Sequence, residues 1–345
     1  MSGIRKTRRI WLGGVAAILA AGVAYGAAAA SSLTFVGWGG EGQDAMQKAW
    51  TDPFQAASGT TVLQDGPTDY GKFKAMVESG NVSWDVVDVE GSFAYKAAGE
   101  GLLEPLDFSV IDTKDVDPRF VFDHGIGSLT WSWVLGYSKD ALGDKVPEGW
   151  AAMFDTETYP GGRAVVKWFA PGILEVALLA DGVAPDKLYP LDVDRAFKKL
   201  DTIKKDIVWW NSGAESQQAL VSGEAVMGMF WNGRTYMLQR DGMNIGVQWN
   251  QNLLTADYVV VPKGTANKDA AMKLIAQVVS AQGQADHSAL TAYGPVNLKS
   301  TAMVPEEVQP ALPSNYPDSQ VVIDLDYWVK NMDAISERWY AWQAQ

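Results

Sequence analysis

Short apolar runs of strand length alternate with helical patterns along almost the whole chain. This alternation restricts the fold more than any other feature, because it calls for α/β layers around a mostly parallel sheet. Strand-like runs at 32–38, 60–64 and 84–90 are interleaved with helical patterns at 44–57, interrupted near Pro53, at 70–79 and at 92–99. A loop-rich stretch holding Pro105 and Pro118 follows, and a strand at 133–137 opens a second series. That series has strands at 163–166, 225–230, 245–249 and 258–261, with helices at 174–179, within 192–205 and near 216–221. Further helices are predicted over 267–280 and 324–342, separated by a Pro-rich traverse at 304–317. At 345 residues and 47% hydrophobic, the chain exceeds what one core usually organises, so two domains are expected.

Residues 1–30 stand apart. Arg5, Lys6, Arg8 and Arg9 precede an apolar run of roughly 15 residues, shorter than the roughly 20 a spanning helix needs, and Ala28-x-Ala30 supplies a cleavage site. The segment reads as an export signal cleaved near Ala30, which places the mature chain in the periplasm. Thr7-Arg8-Arg9-Ile10-Trp11-Leu12 also resembles a twin-arginine signal. No later stretch is long and apolar enough to span a bilayer. The net charge of −13 argues against nucleic acid as a partner, and the absence of cysteine removes disulfides and thiolate chemistry.

Gly37-Trp38-Gly39-Gly40-Glu41-Gly42 fits the spacing of a dinucleotide-binding loop between a strand and a helix, with Asp65 ending the next strand. An exported nucleotide-dependent oxidoreductase is therefore one alternative, although a Trp and a Glu within the loop stand against a pyrophosphate. The two histidines, His124 and His287, lie far apart and read as surface or packing residues. Aromatic residues are the stronger signal. Trp38, Trp133, Trp168 and Trp231 fall at strand ends, where an open α/β sheet places its ligand crevice and where rings offer a negative π-face to a cation. Glu41, Glu90, Glu175 and Asp257 lie near the same ends and could meet an ammonium group in charge-assisted hydrogen bonds; a solvated acid or a helix cap is the plainer role for each.

The segment Gly223-Glu224-Ala225-Val226-Met227-Gly228-Met229-Phe230-Trp231-Asn232-Gly233 resembles one found in the periplasmic substrate-binding proteins of ABC importers, above all their spermidine/putrescine-binding branch. Phe35-Val36-Gly37-Trp38, Tyr70-Gly71-Lys72-Phe73-Lys74, Trp84-Asp85-Val86-Val87, Asp257 before Val259-Val260-Val261-Pro262, and Tyr293-Gly294-Pro295-Val296-Asn297 agree with it in order and spacing. The resemblance implies a two-lobe (type II) fold, each lobe a mostly parallel sheet flanked by helices, joined by crossover strands. Its expected division is lobe 1 at 31–138 plus 258–300 and lobe 2 at 139–257 plus 301–345. It implies a monomeric binding protein, neither an enzyme nor a cofactor carrier, that encloses a small cationic solute such as putrescine or spermidine and delivers it to permease subunits in the inner membrane.

By position the resemblance assigns Trp38 and Trp231 as aromatic walls, Glu175 and Asp257 to ammonium groups, and Glu90 and Ser92 to the first-lobe side; Trp131, Trp133 and Trp168 could add walls. Three positions depart from the family pattern. Gly172 and Thr255 replace an acid and an aromatic, and Gly40 replaces an acid that Glu41 could supply one residue later. These departures leave room for a shorter amine or an amino-acid or sugar conjugate.

Overall fold

The apolar runs pair into one mixed sheet in the computed structural model, which describes residues 32–345. The expected export signal at 1–30 lies outside the described residues. The strands are β1 (Ser32–Val36), β2 (Thr61–Asp65), β3 (Val86–Glu90), β4 (Val121–Phe122), β5 (Gly125–Ser138), β6 (Gly162–Val166), β7 (Ile207–Trp210), β8 (Ala225–Trp231), β9 (Ile245–Val260) and β10 (Val321–Val322). Their order is β2-β1-β3-β9-β5-β8-β6-β7, with β4 beside β5 and β10 beside β9. The outer sets β2-β1-β3 and β7-β6-β8 are parallel, as the alternation predicts, and β3 is buried along its whole length because helices cover both faces.

The centre differs from the expected mostly parallel sheet. β9 runs antiparallel to β3 and to β5, and β5 runs antiparallel to β8. Both are far longer than the sequence suggests: 245–249 and 258–261 belong to one strand, and β5 begins at Gly125 instead of near 133. Each changes partner along its length. Asp257, Tyr258, Val259 and Val260 of β9 pair with β3, while Trp133, Val134, Leu135, Gly136 and Tyr137 of β5 pair with β8. The β5–β9 register shifts between Trp133 and Leu135, and Gln251 nearby has a left-handed φ of 58°. These two strands thus tie a β2-β1-β3 half to a β7-β6-β8 half.

Local chemistry accounts for most helix ends. Asp69, Asp192, Ser212, Ser280 and Asp324 each accept a backbone N–H in the first turn of the helix that follows. The first helix starts at Gly40, four residues before the predicted start, and continues to Ser58 through a wider π turn at Gln47–Thr51 that accommodates Pro53. Two helices, Asn232–Arg240 and Ala281–Thr291, lie where no helix was expected.

Candidate functional site

The carboxyl ends of the parallel strands from both halves face one cavity, as the crossover topology requires. β1 delivers Trp38, β3 ends in Glu90 and β8 ends in Trp231. β5 and β9 pass between them carrying Leu129, Trp131 and Asp257. Met46, Gly42, Arg234 and Tyr293 complete the lining.

The Trp231-Asn232-Gly233-Arg234 turn builds most of the second-half wall. The Asn232 side chain accepts from the Ser132 N–H (3.0 Å) and donates to the Ala292 carbonyl (2.7 Å), which fixes the start of its helix against β5. A Cβ on Gly233 would stand 2.6 Å from the Tyr293 ring, so only glycine lets Tyr293 lie there. Arg234 is 2% exposed and lies over the Trp231 ring at 5.9 Å, and its Nη2 donates to the Gly39 carbonyl of the other half (3.3 Å). Its Nε and Nη1, and the Trp231 indole N–H, are buried without a hydrogen-bond acceptor among the described residues. Burial of an unpaired donor is costly, above all on a charged group, so this corner has the chemistry to receive an anionic or hydrogen-bond-accepting group.

Three buried carboxyls stand in and beside the same cavity. Glu90 and Asp257 face each other across the β3–β9 ladder, with Asp88 behind them. Asp88 accepts from the Ser128 hydroxyl and from Trp38 Nε1 (3.0 Å for the latter). Asp257 accepts from Trp131 Nε1 (2.7 Å), whereas no protein donor reaches the Glu90 carboxyl among the described residues. Loss of water raises all three above the usual carboxylate range, and the Asp257 charge adds to the rise of Glu90 and Asp88. Asp257 is pushed up to about 7. Burial also pushes the Tyr293 phenol up to about 12, so it stays neutral. The cavity therefore brings together a cation, carboxyls and indole faces.

Of the residues expected from sequence, Trp38, Glu90, Trp231 and Asp257 meet here. Four others have different places. Glu175 is fully buried and occupied: it accepts from the Gly172 N–H (2.9 Å), Tyr189 Oη (2.6 Å) and Trp328 Nε1 (2.6 Å), fastening the helix Ile173–Ala180. Glu41 is exposed and pairs with Arg240 (3.2 Å). Trp133 lies behind the wall, donating to the Pro171 carbonyl (2.8 Å) with its ring 5.2 Å from that of Trp131. Ser92 borders a separate, outer chamber.

The departures from the family pattern also have causes. A Cβ at Gly172 would stand 2.3 Å from the Trp133 ring, and Thr255 borders a groove with Tyr95 and Arg119 instead of the cavity. Within the 37–42 loop, Gly39 and Gly40 take positive φ to turn the chain. A Cβ at Gly42 would stand 2.9 Å from Arg234 Nη2, so this glycine makes room for a guanidinium.

Sequence reasoning missed Arg234 and Asp88. A cation three residues beyond Trp231, and an acid in the middle of the apolar run Val86-Val87-Asp88-Val89, were the available signals.

Comparison with known proteins places the chain in a family. Residues 49–314 match the bacterial extracellular solute-binding protein family. A solved GABA receptor is 54% identical, covering 91% of this chain and 98% of its own, with a TM-score of 0.85. The gamma-aminobutyric acid-binding protein of Pseudomonas aeruginosa is 37% identical over 337 residues, covering 94% of this chain and 95% of that protein. An A. tumefaciens R10 binding protein solved with agropinic acid is 36% identical, with a TM-score of 0.86 and coverage of 91% and 99%. The spermidine/putrescine-binding protein of Escherichia coli is matched at lower identity, 24% over 341 residues, covering 92% of this chain and 94% of that protein. The chain belongs to the extracellular solute-binding family. It has the two-lobe fold of the binding proteins that serve ABC importers, and the expected polyamine branch is a more distant relation within it.

Proposed function

We propose that the protein is the periplasmic binding component of an ABC importer for a short ω-amino acid, of which γ-aminobutyrate is the reference case. The buried Arg234, whose Nε and Nη1 have no acceptor among the described residues, lines one cavity with Glu90 and Asp257, and this carries the reading. Arg234 and the Trp231 N–H receive the solute carboxylate, and Glu90 and Asp257 receive its ammonium. Trp38, Trp131 and Trp231 enclose the methylenes. The GABA-binding relatives support the same choice. Sequence alone favoured a polyamine, but the guanidinium would repel the second ammonium of putrescine or spermidine. A conjugate of the agropinic acid kind remains the comparison ligand on the amino-acid side.

Closure follows from the same contacts. A solute bound to Arg234 and to Glu90 joins both halves and shifts the population toward the closed form that a permease would recognise. The division into 31–138 with 258–300 and 139–257 with 301–345 belongs to this proposal, as does a monomeric state. The change of pairing partner inside β5 and β9 supports placing the crossings there. Calorimetric titration of ligand-stripped protein with γ-aminobutyrate, putrescine, spermidine and agropinic acid tests the assignment. Tightest binding of γ-aminobutyrate is expected, and tightest binding of a polyamine would overturn it.

A further inference from the structure

The cleft extends beyond the cavity. An outer chamber bordered by Ser92, Trp168, Asn211, Ser336 and Tyr340 is several times larger than the inner cavity. Glu90 borders both spaces, whereas Trp38 borders only the inner one and Trp168 only the outer one. These two rings come from opposite halves of the sheet and stack 9° from parallel, with centroids 6.4 Å apart. Each is held from its own side. Trp38 Nε1 donates to Asp88 (3.0 Å) and its ring meets Tyr70 edge-on at 6.2 Å, while Trp168 Nε1 donates to the Asn211 carbonyl (3.2 Å). Two anchored plates face to face between two spaces form a partition that exists only while the halves are together.

The geometry points to Trp168 as the residue that limits ligand length: stacked on Trp38, it shuts the inner cavity, so that only a linear solute short enough to lie between Arg234 and the Glu90–Asp257 pair is enclosed. The identity of the two ends rests on the zwitterion reading above; the limit itself does not. A longer solute must pass Glu90 into the outer chamber, and to do so it must part the two rings. Trp168 touches no enclosed solute and acts through Trp38, so it is a specificity-determining residue of position.

Two homologous series test this: ω-amino acids and α,ω-diamines of three to eight carbons, titrated calorimetrically into the ligand-stripped native protein, Trp168→Ala and Trp168→Phe. In the series that binds, the native protein should lose at least about tenfold in affinity between its best member and the one two carbons longer. Trp168→Ala should shrink that step below about threefold, and Trp168→Phe, which keeps a ring, should restore most of it. Melting curves check folding; should Trp168→Ala fail to fold, Trp168→Leu is read in its place, with the same shrinkage expected. A folded Trp168→Ala or Trp168→Leu variant with the native step overturns the proposal. So does a native protein that binds long and short members equally, or one that binds neither series. Binding of diamines but not amino acids would defeat the zwitterion reading, while the length step within the diamines would still decide the role of Trp168.

Discussion

At the scale of single residues, function turns on the placement of charge in a dry space. Removing the guanidinium in Arg234→Gln leaves the solute carboxylate buried and unpaired, a loss of roughly 2–5 kcal/mol in binding, or about thirtyfold or more. Trp231→Ala and Asp257→Asn should each weaken binding at least tenfold, about 1.4 kcal/mol, with the protein still folded. Calorimetry on the folded variants checks all three, and unchanged affinity would remove that residue from the site. A pH dependence follows as well. An ammonium is best held by an ionised carboxylate, and burial pushes Asp257 up to about 7. Asp88, Glu90, Tyr70 and Tyr293 stand around it, with Arg234 lining the same cavity. Binding of a neutral zwitterion should therefore release protons and weaken as pH falls below about 7, by up to about tenfold per unit for each proton released. Titrations from pH 5.5 to 8.5 should show this trend, and a flat profile would mean that the carboxyls are ionised before the solute arrives. The acids and rings of this site were legible in the sequence because strand ends in an α/β sheet converge. Arg234 was not, since the Gly39 carbonyl that accepts from it and the glycines at 42 and 213 that make room for it come from segments far from it in sequence.

Elements decide which of several plausible acids reaches the solute. Glu175 has the right residue type near the right strand, yet it holds the Gly172 N–H, Tyr189 and Trp328 together. Glu175→Ala should leave three buried donors short of a partner and cost roughly 2–4 kcal/mol of stability, while Kd for the solute stays within about threefold. Thermal melting and calorimetry on the same variant separate the two effects. The parallel outer strands and the helix Leu325–Gln343 could be read from the sequence because apolar spacing and a capping Asp324 announce them. The helix Asn232–Arg240 could not be: Asn-Gly at its start and an Arg, Thr, Gln and Arg along it give little apolar periodicity, and its position comes from Asn232 bonding to Ser132 and Ala292. The long β5 and β9 were also hidden, since Asn250, Gln251 and Asn252 interrupt the apolar pattern where the strand crosses between halves.

On the scale of the whole molecule, the two halves also meet directly, through the Arg234–Gly39 bond, the Trp38–Trp168 stack, the Arg240–Glu41 and Lys96–Asp333 ion pairs, the Arg240 bond to the Leu290 carbonyl and the packing of the helix Gly91–Gly99 on the helix Leu325–Gln343. Each surface ion pair is worth at most about 1 kcal/mol, so the proposed function expects a solute bound to both halves to add the larger share of the closing contacts. Small-angle scattering should show the ligand-stripped protein contracting when saturated, and Glu41→Gln should leave that contraction in place. The central claim is that opposite charges in one cavity read the two ends of a short zwitterion. Its most direct test is to compare γ-aminobutyrate with n-butylamine and butyrate by calorimetry on the same ligand-stripped protein. Each truncated compound keeps the chain and one end. Loss of at least about a hundredfold, about 2.7 kcal/mol, is expected for both, because each leaves one buried charge unmatched. Binding of n-butylamine within about threefold of γ-aminobutyrate would contradict the account, since Arg234 would then not be reading a carboxylate.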